Sequence, residues 1–273
     1  PIIKDKLWFF LSNNYYGTRD VTSEQSIGWL KIPAGNRQVG ASNAFGKLTF
    51  TPHKNHTVSL SGTLDKSLNQ RGGIGVPETY VKADYTDYFF RLNYRGILSQ
   101  NTLLTGAVGR NQRKKHTEPI NGDLGAPPYL WLDIGQLTNN CTYTSDNTEW
   151  RTDLNIDLTH YLDLGLWGNH EIKAGASYYA NEWATSFRLS GRDADPWPGD
   201  GFDNGIGFYW SGPGIPLSIF EQGPGLIKDS TRGFGLYVED SFTLGRFSFM
   251  LGMRADTQRV YNDAGVNVWS WGL

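Results

Sequence analysis

The chain has 273 residues, 38% of them hydrophobic, with a formal charge of −2 and a sequence pI of about 6.2. So even a balance excludes a general binder of nucleic acid or of anionic membrane surfaces. A mean hydropathy of −0.45 and a longest apolar run of only Leu7-Trp8-Phe9-Phe10-Leu11 exclude a transmembrane helix, which needs roughly 20 apolar residues, but leave a membrane-crossing barrel open.

The opening Pro1-Ile2-Ile3-Lys4-Asp5-Lys6 has neither an initiator Met nor a charged-then-apolar leader, so the chain reads as an internal piece of a longer protein. Alternation then predicts nine strands, over 6–16, 41–51, 56–68, 85–97, 101–113, 149–161, 170–185, 232–244 and 247–261. They make up about 43% of the chain against ~20–25% in an average globular domain, and 33 Gly with 10 Trp, 14 Tyr and 14 Phe suit strands and turns. The fold class is all-β.

Each strand carries one apolar row. Val58, Leu60, Gly62 and Leu64 alternate with Thr57, Ser59, Ser61 and Thr63. Phe90 and Leu92 alternate with Phe89, Arg91, Asn93 and Arg95; Leu154 and Ile156 with Arg151, Asp153 and Asp157; Phe249 and Leu251 with Ser248, Met250 and Arg254. A soluble strand usually shows charge to water, so a hydroxyl row opposite an apolar row suits a wall between lipid and a wet interior. The strand lengths reach the ~9–11 residues that a tilted strand needs to cross a bilayer.

Connections between these strands run roughly 24, 4, 16, 3, 35, 8, 46 and 2 residues. This strict alternation sorts long loops to one rim and tight turns to the other, as in transmembrane barrels. The long loops are 17–40, 69–84, 114–148 and 186–231. Pro52-His53-Lys54-Asn55, Ser99-Gln100-Asn101 and Gly245-Arg246 supply residues that tight hairpins favour. Rings near strand ends, such as Trp8, Tyr15, Tyr16, Trp150, Tyr161 and Trp167, suit a membrane–water boundary.

Signals of chemistry are sparse. No Ser-His-Asp order and no His pair at metal spacing occurs, and the lone Cys141 reads as unreactive. The run 71–75, RGGIG, lies in a long loop and joins no strand to a helix, so it is loop punctuation and not a phosphate cradle. Asp193, Asp195, Asp200 and Asp203 offer hard oxygen ligands in one loop, a candidate calcium site whose spacing departs from an EF-hand. Trp197, Phe202, Tyr209 and Trp210 in the same loop could stack on a ligand or hold the loop together. Arg91, Arg95, Arg110, Arg151, Asp153, Asp157 and Arg254 are assigned to the lumen, pairing across strands, contacting a plug or guiding a polar solute.

The segments PIIKDKLWFFLSNNYYGTR, GKLTFTPHKNHTVSLSGTLDKS and above all RGFGLYVEDSFTLGRFSFMLGMRADTQ resemble barrel segments of TonB-dependent outer-membrane receptors, in the branch whose chains carry a carboxypeptidase-regulatory-like domain before the plug. The likeness covers most strands and not the long loops. It implies a 22-stranded barrel in the outer membrane of a Gram-negative bacterium, of which residues 1–273 supply about nine transmembrane antiparallel strands. It also implies an N-terminal plug that an inner-membrane TonB-type energy-coupling protein opens. Plug, coupling box and signal peptide are not in this sequence, and nine is an odd count where a closed bacterial barrel has an even one. The expected activity is transport of a scarce solute such as a glycan, peptide or metal chelate, with no enzyme activity, no cofactor and no nucleic acid. The partners are outer-membrane lipid, the rest of the barrel with its plug, the coupling protein and the unknown solute. A soluble secreted carbohydrate-binding module and a passive porin are the alternatives.

Overall fold

The computed structural model describes residues 2–71, 76–194 and 205–272, which form sixteen strands and only three-residue 3-10 turns. In chain order they are β1 (Leu7–Thr22), β2 (Gln25–Ile27), β3 (Leu30–Ile32), β4 (Gly35–His53), β5 (His56–Arg71), β6 (Val81–Ser99), β7 (Thr102–Pro119) and β8 (Tyr129–Trp131). Then follow β9 (Gln136–Thr138), β10 (Tyr143–Asp163), β11 (Asn169–Leu189), β12 (Gly205–Gly212), β13 (Ile215–Gln222), β14 (Gly225–Leu244), β15 (Phe247–Tyr261) and β16 (Asn267–Gly272).

Ten of them form one antiparallel sheet in the order β1-β4-β5-β6-β7-β10-β11-β14-β15-β16. All nine predicted strands are present, and β16 is a tenth where the alternation predicted the start of a loop. With ten strands the two edges run in opposite directions, so strand parity no longer argues against closure. The sheet is nonetheless open, because β1 pairs only with β4 and β16 only with β15.

Strands are also longer than predicted, reaching 21 residues in β10 and β11. The excess lies on the long-loop side, where the chain keeps its backbone ladder after the apolar row has ended. Hydrogen bonding between strands does not require a greasy face, whereas alternation is the only signal the sequence offers.

Register fixes the faces, since directly paired residues point to the same side. Val58↔Tyr94, Leu60↔Leu92, Leu92↔Val108, Leu154↔Tyr178, Ile156↔Ala176, Ala176↔Leu236 and Val238↔Met253 build one continuous apolar face. Among the described residues no second sheet covers it: Leu60 is 47% exposed, Ile156 48% and Leu251 64%. A soluble sandwich would bury this row, so the bare belt is matched to lipid.

The dry core lies in the loops instead. Val76, Tyr80, Leu137, Cys141, Leu189 and Ile206 are buried there, with Ile206 and Asn140 wholly enclosed. All four long loops take part. Trp29 stacks edge-on against Trp131, the Val76 amide donates to the Leu137 carbonyl, and β12 pairs in parallel with β8 through Phe208↔Tyr129. The sorting of long loops to one rim is therefore met. The buried Asn140 amide donates to the carbonyls of Asp123 and Ala126, which satisfies a polar group that would otherwise cost stability.

At the opposite rim the tight turns join β4 to β5, β6 to β7, β10 to β11 and β14 to β15. Three of the seams that no turn closes there carry histidine contacts instead. His56 meets the Tyr94 hydroxyl at 2.9 Å across β5–β6, His160 meets the Thr102 hydroxyl at 2.9 Å across β7–β10, and His170 meets Asp240 at 2.8 Å across β11–β14. His170 also stacks on Phe242.

Two outcomes follow from this arrangement. Substituting His170→Ala frees the turn-side end of the β11–β14 seam, so amide exchange at Ile172 and Asp240 accelerates while exchange at Ala180 does not; equal protection in both proteins would contradict the clamp. Burial pushes the Cys141 thiol up to about 11, so little thiolate exists at pH 8. Maleimide labelling of Cys141 is therefore slow in the folded protein and rapid in denaturant, and fast labelling without denaturant would show that the loop core is open.

Candidate solute path

The polar face gathers its charge where β10, β11, β14 and β15 run side by side. Arg151 holds Asp153 at 2.7 Å and lies over the Tyr179 ring at 5.0 Å. The Tyr237 hydroxyl donates to Asp157 at 2.6 Å, and Arg254 grips Asp256 at 2.7 Å while reaching the Ser177 hydroxyl at 3.4 Å. All of these groups except Asp256 line a cavity of about 570 Å³. Gly175 and Gly233 are needed for it, because a Cβ at either would strike the Tyr237 or Tyr179 ring. Four of the lumen residues expected from sequence, Arg151, Asp153, Asp157 and Arg254, are thus brought together.

Arg91 and Arg95 share that face but stand apart on β6, where Arg91 donates to Asn93 at 2.8 Å. Arg110 is a correction. It pairs with Phe90 on β6 and Thr152 on β10, so it continues the apolar row Leu104-Gly106-Val108 and lies over the Trp150 ring at 4.9 Å. Glycine at 106 weakens the alternation of β7, and the registers with β6 and β10 assign the side.

The long-loop rim carries an aromatic cluster. Tyr209 packs on Phe220 at 4.8 Å; Trp210 packs on Trp131 at 5.3 Å and on Tyr129 at 6.0 Å. Tyr209 and Trp210 therefore tie β12 to β13 and β8. Trp29 is the more open ring. It meets Trp131 at 4.7 Å, donates its indole N–H to Asp133 at 2.7 Å, and with Trp131, Lys31, Glu78 and Thr138 borders a cavity of about 490 Å³. Sequence reasoning missed Trp29, Tyr129 and Trp131, since Trp29 sits in one long loop and the other two in another, and only the folded chain joins them.

Trp197, Phe202, Asp195, Asp200 and Asp203 lie outside the described residues. Asp193, the fourth acid of the calcium candidate, falls in the 3-10 turn Arg192–Ala194 with its carboxylate against Gly125. Among the described residues no group of three or more His, Cys, Asp or Glu side chains is placed to hold a metal ion.

No protein-family profile matches the sequence, and no curated protein matches it either. Solved structures do. The outer membrane transporter YddB from Escherichia coli matches with a TM-score of 0.66 at 11% identity, over 97% of this chain and 33% of that one. The ferric citrate transporter FecA matches at 0.58 and 11% identity, over 97% and 35%. The siderophore receptor PiuA from Acinetobacter baumannii matches at 0.54 and 11% identity, over 98% and 41%. The chain spans about a third of the length of these proteins. It carries, as an open ten-stranded segment, the β-barrel fold of outer-membrane transporters and receptors.

Proposed function

We propose that residues 1–273 are part of the barrel wall of a TonB-dependent transporter in a Gram-negative outer membrane. The observation that carries this is a single open sheet with a bare apolar belt on one face and a charged, hydroxyl-lined path on the other, capped by packed loops at one rim only. A polar solute enters past the aromatic cluster around Trp29 and Trp131 and moves along the face that presents Arg151, Asp157, Tyr237 and Arg254. Arg91 and Arg95 extend that charged lining on β6. A plug and a TonB-type coupling protein, outside these residues, supply gating and energy, and the remaining strands of a 22-stranded barrel complete the wall. The lumen charges serve mainly to pair with one another and to seat the plug: Arg151 with Asp153 and Arg254 with Asp256 already neutralise each other within their own strands.

The soluble binding-module alternative predicts a monodisperse protein without detergent, whereas an exposed apolar belt predicts aggregation in its absence. A passive porin would need a wall that closes by itself.

In hydrocarbon each unpaired backbone group costs several kcal/mol, so open edges require partner strands. Residues 1–273 alone, reconstituted into planar bilayers, are expected to give no discrete conductance. Reproducible single-channel steps from this polypeptide would mean that it closes unaided, and the segment reading would be abandoned.

A further inference from the structure

Three long loops meet at the cavity of about 490 Å³ beside Trp29. Leu30 and Pro33 reach it from the first loop, Val76 and Pro77 from the second, Trp131 and Thr138 from the third. Its walls are held from behind. The Trp29 indole N–H donates to Asp133 at 2.7 Å, the Trp131 indole N–H donates to the Thr138 hydroxyl at 2.8 Å, and Glu78 accepts the Asn139 amide at 2.9 Å through Oε1. The two indole rings meet edge-on at 4.7 Å. A ligand that enters finds these groups already in place, which spares the cost of ordering them.

The charges are arranged differently here than elsewhere in the chain. Lys31 and Glu78 both border the cavity and both are exposed, yet they do not pair, and Lys31 forms no hydrogen bond or ion pair with a described residue. Opposite charges that share one side of the large sheet pair directly: Lys82 with Glu118, Arg113 with Asp87, Lys228 with Glu182. A cation alone would suit an anionic solute and an anion alone a cationic one. The two kept apart across one ring-walled, apolar space are complementary to a solute with opposite charges at its own two ends. A neutral polyol is a poor match, because the only hydroxyl among the described lining residues, that of Thr138, already serves Trp131.

We infer that this cavity binds a zwitterion with an apolar body, the chemistry of an amino acid or of a short unblocked peptide. Its carboxylate meets Lys31, its ammonium meets Glu78, and its body lies against the Trp29 and Trp131 rings, which offer large apolar faces of fixed orientation. Charges as exposed as these contribute discrimination more than affinity, about fivefold each. The inference rests on the reading of the long-loop rim as the solute's entry.

The test uses the intact barrel protein in mild detergent, with binding followed by titration calorimetry. The probes are the dipeptide Phe-Ala, its N-acetyl form without the ammonium, its C-terminal amide without the carboxylate, and uncharged maltotriose. Phe-Ala is expected to bind about fivefold more tightly than either blocked form, and maltotriose more weakly than all three. K31Q should bind Phe-Ala and its amide alike while still preferring Phe-Ala to the acetylated form. E78Q, whose amide oxygen can still accept the Asn139 N–H, should show the converse. W29A weakens all three peptides, and K54Q, which removes a charge at the opposite rim, behaves as the parent; circular dichroism checks that each variant is folded. Free phenylalanine separates the two sources, since affinity at or above that of Phe-Ala assigns an amino acid and lower affinity assigns a peptide. Equal affinity of the parent for Phe-Ala and both blocked forms, discrimination that survives K31Q and E78Q, or tighter binding of maltotriose would overturn the zwitterion. A folded barrel that needs detergent yet ignores Phe-Ala and phenylalanine would sink this inference and spare the transporter reading.

Discussion

Backbone satisfaction governs the rest of this structure. Inside a bilayer no water can serve an unpaired N–H or C=O, so a wall made of strands must pair every edge it has. The interior strands from β4 to β14 meet that demand through ladders of up to 21 residue pairs, as between β10 and β11. At the edges β1 leaves sixteen residues with one free side, and β16 covers only Thr257–Tyr261 of β15. The open sheet is therefore the shape of an incomplete cylinder.

Once the wall is a ladder, side chains are free to serve two solvents. The apolar face needs nothing packed on it, which is why large aliphatic residues such as Leu251 and Met253 remain bare. The polar face can hold charge where an ion pair neutralises it, as between Arg151 and Asp153, or where a neutral donor satisfies it, as the Tyr237 hydroxyl does for Asp157. Burial then has one place left. The loops form the only region of the described residues that resembles the interior of a soluble protein, and their enclosed Ile206, Asn140 and Cys141 give the long-loop rim a fixed form. The described residues thus divide into a packed loop rim, a polar face and a bare apolar face.

Much of this was legible in the residues. Alternation in 56–68 and 149–161 gave the two faces, because a period of two is a local property, and the sorted connection lengths gave the two rims. What alternation could not give was anything decided by a partner strand. Arg110 was placed in the lumen from the rhythm of β7 alone, and its pairing with Phe90 and Thr152 moved it to the apolar face. The strands ran past their apolar rows because a hydrated ladder leaves no hydrophobic signature, and β16 was missed for the same reason. The cluster of Trp29, Tyr129, Trp131 and Trp210 draws on three loops far apart in sequence, so no window could contain it. The charged cavity was half visible: sequence supplied Arg151, Asp153, Asp157 and Arg254, but not the glycines at 175 and 233 that make room for its tyrosines.

The central claim is that one face of a single sheet meets lipid while the other meets water. Nitroxide labels at Leu60, Leu92, Ile156 and Leu251, and at their neighbours Ser61, Asn93, Asp157 and Gly252, test it in the membrane-embedded protein through collision rates with oxygen and with a water-soluble nickel chelate. The first set should collide mainly with oxygen and the second mainly with the chelate, switching at every residue along a strand. Protection of the first set from both reagents would mean that the apolar row is packed against protein, and the wall described here would not exist.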